Sequence, residues 1–108
     1  MRRVIIESPY AGDIALHQGY LRACLLDCLR RGEAPFASHG LYTQCLNDKK
    51  PKERDLGIKA GFEWRFAADC TVVYADLGIS KGMQMGIDHA KKIAQAVEVR
   101  KLGGEWSR

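Results

Sequence analysis

CTVVYADLGISKGM, residues 70–83, decides the fold. Thr71, Val72, Val73 and Tyr74 are β-branched or aromatic in a row, the clearest strand signal in the chain. Turn residues follow, and Ser80 stands where a helix cap belongs, between Gly78 and Gly82. Met83, Ile87, Ala90 and Ala94 then recur at helical spacing. The reading is a strand over 70–78, a short loop and a helix over about 81–94.

The same alternation extends in both directions. AVEVRKL (96–102) sets Val97 and Val99 against Glu98 and Arg100, the pattern of a last, edge strand. Upstream, a helix is expected from Pro51, a residue tolerated at the first helical position, to about Ala68. Leu56, Ala60, Trp64 and Ala67 share one side of it, and Trp64, Phe62 and Phe66 are read as core or subunit interface. Gly57 and Gly61, four apart, lower its propensity and point to close approach by another backbone, the sheet or a partner subunit. EAPFASHGLYT carries a short strand around 34–38, and QCLNDKKPKERD is the longest irregular segment. A first helix is read over 14–31 from Leu21, Cys24, Leu25, Cys28 and Leu29, with Asp13 as cap and Arg30, Arg31 and Gly32 at its end. RRVIIESP is a buried strand ending at Pro9.

Strands alternating with helices imply an α/β chain: a three-layer, flavodoxin-like or Rossmann-like fold with a four-stranded parallel sheet and helices on both faces. Right-handed crossovers reduce the topologies to a few, and strand order 2-1-3-4 is expected. Ligands bind such sheets beyond the carboxyl ends of the strands, where the order reverses. Here that crevice lies between the first and third strands, flanked by ESPYAG (7–12) and DLGISKGM (76–83). Glu7, a carboxylate behind Ile5 and Ile6, would stand at its mouth.

A chain of 108 residues fits one domain, read over 1–102, with a C-terminal tail at 103–108 that is loose or docked through Trp106. The net charge of +4 is dispersed, and the densest stretch, KKPKERD (49–55), carries acids as well, so there is no basic stripe for nucleic acid. There is no apolar leader and no 18-residue apolar run, so a cytoplasmic protein without membrane contact is expected. Cys24 and Cys28 sit four apart on a helix and are either two metal ligands or small buried hydrophobes; reduced, buried thiols are the reading adopted. No metal or cofactor is expected.

Three segments carry a resemblance. SPYAG (8–12), GEAPFASH (32–39) and DCTVVYADLGISKGM (69–83) together resemble the nucleoside 2-deoxyribosyltransferase-like superfamily, and its small members from phages and prophages in particular. The similarity runs from Val4 to about Leu102. The resemblance implies cleavage of the N-glycosidic bond of deoxynucleosides or their 5′-monophosphates. In such enzymes a glutamate on the helix after a Ser-x-Gly turn attacks the anomeric carbon, a proton donor, often an aspartate, assists the departing base, and the turn holds the 5′ end or its phosphate. This is the logic of retaining glycosidases. Ser8 and Pro9 fill the pair after the first strand, and Tyr10 and Gly12 match the loop that closes on the sugar or base. Ser80 and Gly82 match the Ser-x-Gly turn, and Asp69 matches an aspartate before the third strand. The nucleophile is due six residues after Ser80, where this chain has Gly86.

Three carboxylates are alternatives. Asp88 lies two residues past Gly86, about 200° around the helix, and faces away. Asp76 is either a catalyst at the end of the third strand or a turn residue before Gly78. Glu7 is a catalyst, activating a water or attacking the sugar with its pKa raised by burial, an anchor for ribose hydroxyls or for the backbone of the Ser-Gly loop, or a solvent-exposed carboxylate. Catalytic candidates are therefore Glu7 and Asp76. Candidate ligand contacts on the first-strand side are Ser8, Pro9, Tyr10, Gly12 and His39. On the third-strand side they are Gly78, Ser80, Gly82, Met83 and Gly86. His39 is either a pocket residue or a structural histidine, and Tyr10 and Tyr42 are stacking candidates.

Three functions follow. One is a nucleotide- or nucleoside-binding protein that lacks the glutamate at position 86. Another is an active N-glycosidase or deoxyribosyltransferase using Glu7 or Asp76. The third is a phage interaction protein that binds a host factor or sequesters a signalling nucleotide. Self-association to a dimer or higher is expected on all three.

Overall fold

A computed structural model of the chain describes residues 1–106; Ser107 and Arg108, the end of the expected tail, lie outside the described residues. The elements are β1 (Arg3–Glu7), α1 (Ile14–Arg30), β2 (Ala34–Phe36), α2 (Ser38–Leu41), a 3₁₀ turn (Tyr42–Gln44), α3 (Pro51–Arg65), β3 (Cys70–Tyr74), α4 (Lys81–Lys92) and β4 (Ala96–Arg100). The sheet is parallel throughout with order β2-β1-β3-β4, as expected.

The two-residue period of the strands sorts side chains between two layers. Val4 and Ile6 of β1 join Cys70, Val72 and Tyr74 of β3 against Tyr20, Leu21, Cys24 and Cys28 of α1. On the other face Val73 meets Met83 and Ile87 of α4, with Val97 beside them. Glu7 pairs in register with Val73, and so its side chain belongs to the α3/α4 layer.

Both expected caps are present. The Asp13 carboxylate accepts from Leu16 N–H at 3.2 Å, and Ser80 Oγ accepts from Met83 N–H at 3.2 Å. Three cysteines are buried, Cys45 is exposed, and all four are free thiols. Among the described residues no group of three metal-ligating side chains forms, and no helix is long and apolar enough to cross a membrane.

Several expectations need correction. β3 ends at Tyr74 rather than residue 78, β2 at Phe36, β4 at Arg100, α3 at Arg65 and α4 at Lys92. Ala94 therefore lies beyond the helix, exposed, with φ +57°. Leu29 is exposed on α1. ASHGLYTQ, read as strand end and loop, holds α2 and the 3₁₀ turn. On β4 Val97 packs inward, but Arg100 is buried between Glu33 and Tyr74 while Val99 is exposed.

The largest correction concerns α3, which buries Gly61 and Arg65 and exposes Leu56 and Trp64, with Phe66 exposed just past its end. The reason is steric. A Cβ at Gly61 would stand 2.8 Å from Ser38 Cβ, and one at Gly57 would stand 3.3 Å from Leu46 Cδ1. The helix packs through its glycines, which leaves the bulky side outward, and the close approach is to α2 and the loop after it.

Candidate functional site

A cleft of about 230 Å³ opens beyond the carboxyl ends of β1 and β3. Of the expected residues it brings together Glu7, Ser8, Tyr10, His39, Ser80, Gly82, Met83 and Gly86. A smaller annex of about 80 Å³ continues it past Tyr10 and His39 toward Tyr42, Leu46 and Ile58.

Glu7 and Gly86 meet directly. A Cβ built on Gly86 would fall within 2.7 Å of Cδ, Oε1 and Oε2 of Glu7. The carboxyl group of Glu7, carried in from β1, thus occupies the place where a side chain at position 86 would begin. Only glycine there permits it.

Arg65 fixes the orientation of this carboxyl group. Its Nη2 donates to Glu7 Oε2 at 2.6 Å, and the side chains are 3% and 13% exposed, so this ion pair is shielded from water. Arg65 Nη1 donates to Thr71 Oγ1, which donates to Gln95 Oε1 at 2.6 Å. Gln95 Nε2 in turn donates to the carbonyls of Arg65 and Ala68 at 2.9 and 3.1 Å. The guanidinium also lies over the Phe62 ring, which stacks on His89 at 4.0 Å. Oε1 of Glu7 has no hydrogen-bond partner among the described residues and is the oxygen left for a ligand or water. Burial pushes the Glu7 carboxyl up to about 7, and the attraction of Arg65 offsets only part of that.

Beside Glu7, Ser8 Oγ lies 2.7 Å from His39 Nε2. Burial pushes His39 down to about 4, so the imidazole is neutral near pH 7. His17 Nδ1 lies 2.9 Å from the carbonyl oxygen of Tyr10 and tethers the loop to α1.

The opposite wall is the start of α4. Ser80 Oγ takes the Met83 amide, while Met83 Sδ accepts from Ser80 N–H at 3.4 Å, leaving the Lys81 and Gly82 amides as first-turn donors. A Cβ at Gly82 would lie 4.0 Å from Arg54 Nη2, so that guanidinium overhangs the helix start. Arg54 also pairs loosely with Asp48, Nε to Oδ1 at 3.9 Å. Lys81, Arg54 and Asp48 all line the cleft.

Four expected residues do not line it. Asp76 follows Tyr74 by two and keeps its parity, and so it turns to the α1 layer. There its carboxylate accepts from Tyr20 O–H at 2.5 Å, from Leu102 N–H at 2.9 Å and from Gly103 N–H at 3.0 Å. These bonds hold its pKa below the usual carboxylate range despite partial desolvation. The expectation that Asp76 faces the crevice is thus corrected: it ties down the segment after β4, where Trp106 meets the Tyr20 ring edge-on at 4.9 Å. Pro9 lines a separate groove against α1. Gly12 and Gly78 shape the two loops.

Arg65, Arg54, Lys81 and Asp48 were missed from the sequence. For Arg65 a signal existed: it continues the spacing of Gly57 and Gly61 and so lies on the close-packed side of α3.

A four-stranded parallel sheet of order 2-1-3-4 with a cleft at the switch point defines a doubly wound, three-layer α/β protein. The fold is similar to that of a 2-deoxyribosyltransferase from the psychrotolerant bacterium Bacillus psychrosaccharolyticus, with a TM-score of 0.66 and 17% sequence identity over 95% of this chain and 74% of that one. No curated protein matches the chain by sequence. Residues 2–100 match the model of the family described as domain of unknown function DUF7768, and the chain belongs to that family.

Proposed function

We propose that the cleft binds a nucleoside 5′-monophosphate or a closely related ribosyl compound. The observation that carries this reading is the Glu7 carboxyl group seated on Gly86, held through Oε2 by Arg65 and with Oε1 left for a ligand. Oε1 would accept from a sugar hydroxyl. The Lys81 and Gly82 amides, with the Lys81 and Arg54 cations, would take the phosphate at the helix start. Ser8 and His39 would border the sugar, Tyr10 would cover sugar or base, and the annex toward Tyr42 would accept the base edge. The cleft is smaller than the ~300–1,000 Å³ of drug-sized pockets, which favours a compact ligand with its base partly outside.

Calorimetric titration with the four deoxynucleoside monophosphates, ribose 5-phosphate and inorganic phosphate tests this. At least one nucleotide should bind more tightly than phosphate alone, and Glu7→Ala should weaken it. Absence of binding by every nucleotide would overturn the reading. Self-association belongs to the same proposal: Leu56 and Trp64 on α3, and Phe66 just past its end, expose apolar surface. Sedimentation should show a dimer or higher that Trp64→Glu dissociates.

A further inference from the structure

We infer that the annex selects the base of the bound nucleotide: it admits a pyrimidine and excludes a purine, and Asp48 at its mouth favours the amino-bearing pyrimidine, cytosine. This names the ligand class of the cleft and rests on the nucleotide-binding reading above.

Size and reach make the first discrimination. The annex holds about 80 Å³. At ~10–15 Å³ for each water-sized occupant, that is room for about five to eight waters. One six-membered ring with its exocyclic atoms matches this space, and two fused rings exceed it. Reach acts in the same direction. With the phosphate at the start of α4 and the sugar at Glu7, the base enters the annex by the edge remote from the sugar. A purine sets its five-membered ring between the sugar and that edge, so the edge must travel further into a closed end.

The walls of the annex are pinned. Gly57 and Ile58 of α3 face Tyr42 and Leu46 across it. The two sides meet at Gly57, where a Cβ would stand 3.3 Å from Leu46 Cδ1 and 3.9 Å from Tyr42 Cβ. Trp64 Nε1 donates to the Tyr42 hydroxyl oxygen at 2.8 Å, and the Asn47 N–H donates to Glu53 Oε1 at 2.9 Å. Both bonds tie segment 42–47 to α3, and widening the annex would break them.

Asp48 makes the second discrimination. It lines both annex and cleft, and so stands where a base would pass from one to the other. Its Oδ1 pairs only loosely with Arg54 Nε, at 3.9 Å, and among the described residues no hydrogen bond reaches its carboxylate. The other annex carboxylate, Glu53, is engaged by the Asn47 amide, and the Thr43 hydroxyl donates to the His39 carbonyl at 2.6 Å. Asp48 is thus the acceptor left for a ligand. The exocyclic amino group of cytosine donates to a carboxylate, whereas uracil and thymine present a carbonyl oxygen at that place, which a carboxylate repels. Adenine also carries an amino group, and size excludes it. Arg54 does not reverse the preference, because its Nη2 lies toward the helix start, 4.0 Å from the Cβ position of Gly82, where the phosphate would hold it.

The experiment is calorimetric titration with the monophosphates of deoxycytidine, deoxyuridine, deoxyadenosine and deoxyguanosine. The deoxycytidine nucleotide should bind at least about tenfold more tightly than either purine nucleotide, the scale on which a close-fitting pocket rejects added atoms. It should also bind about tenfold more tightly than the deoxyuridine nucleotide. Leu46→Ala shortens a half-buried side chain on the annex wall and should bring the purine nucleotides to within about threefold of the deoxycytidine one, a gain that misfolding cannot mimic. Asp48→Asn, whose amide can turn either a donor or an acceptor to the base, should erase the preference between the two pyrimidines. A purine nucleotide that binds the parent as tightly as the pyrimidines would overturn the inference and leave the binding reading intact. So would a Leu46→Ala variant with unchanged base preference, or an Asp48→Asn variant that still prefers cytosine. Failure to bind any nucleotide would overturn both.

Discussion

Replacing Gly86 by alanine tests the central contact. The added Cβ would fall within 2.7 Å of three atoms of the Glu7 carboxyl group, closer than atoms can stand. If the carboxyl group stays, the overlap costs about 1–3 kcal/mol, as overpacking of a full site does. If it moves, the shielded pair with Arg65 breaks, which costs about 3–5 kcal/mol when one buried charge is left without its partner. Against either stands about 1 kcal/mol gained from alanine over glycine inside a helix. The expected net loss is about 2 kcal/mol, or roughly 8–16 °C in Tm at 4–8 °C per kcal/mol for a domain near this size. With Glu7→Ala already in place the collision is gone, and Gly86→Ala should instead stabilise by up to about 1 kcal/mol. The two sites should therefore couple by about 3 kcal/mol, far outside the additivity of independent positions. Urea unfolding of the four proteins in the cycle measures this. A Gly86→Ala effect that is neutral or stabilising in the parent, or equal in both backgrounds, would refute the placement of the carboxyl group.

Other outcomes are equally definite. Glu7 is raised from 4.5 to about 7, so between those values the folded chain holds a proton that the unfolded chain has lost, and stability falls as pH rises through this window. His39 is lowered from 6.5 to about 4, so its contribution runs the other way and is lost as pH falls through that window. Urea midpoints from pH 4.5 to 7 should thus fall with pH in His39→Gln and rise with pH in Glu7→Gln. Ser80→Ala removes the cap on Met83 N–H and should cost about 1 kcal/mol in the same assay, with no change in the pH profile. Asp76→Ala frees the amides of Leu102 and Gly103 and the Tyr20 hydroxyl and should change Trp106 fluorescence; nucleotide binding per folded molecule, read by calorimetry, should not change, because Asp76 faces the α1 layer.

Much of the architecture was legible because strand and helix periods differ and the chain keeps them apart. The run around Val72 and Val73 cannot be a surface segment, and the serine between two glycines marks the start of α4. Glu7 stood out as a charge with no polar residue between it and Ile6. What escaped has physical causes. α2 is four residues long, too short for any period to show. Asp76 was misplaced because CTVVY is buried on both faces, which hides the parity that sends every second residue to α1. α3 misled because bulky residues normally mark a buried face, whereas here contact is made through glycine. The spacing of Gly57, Gly61 and Arg65 put Arg65 on the packed side of α3, but nothing local pairs it with Glu7, 58 residues away.

The shared space of Glu7 and Gly86 constrains the history of the sequence as much as its chemistry. A chain starting with a glutamate at position 86 cannot acquire one at position 7 first, because the two would contend for one volume. The glycine must come earlier, at the cost of a period without the carboxylate, or both must change together. In any sequence of this lineage the pair can be scored as a single character, and Glu at 7 with anything larger than glycine at 86 should not be found.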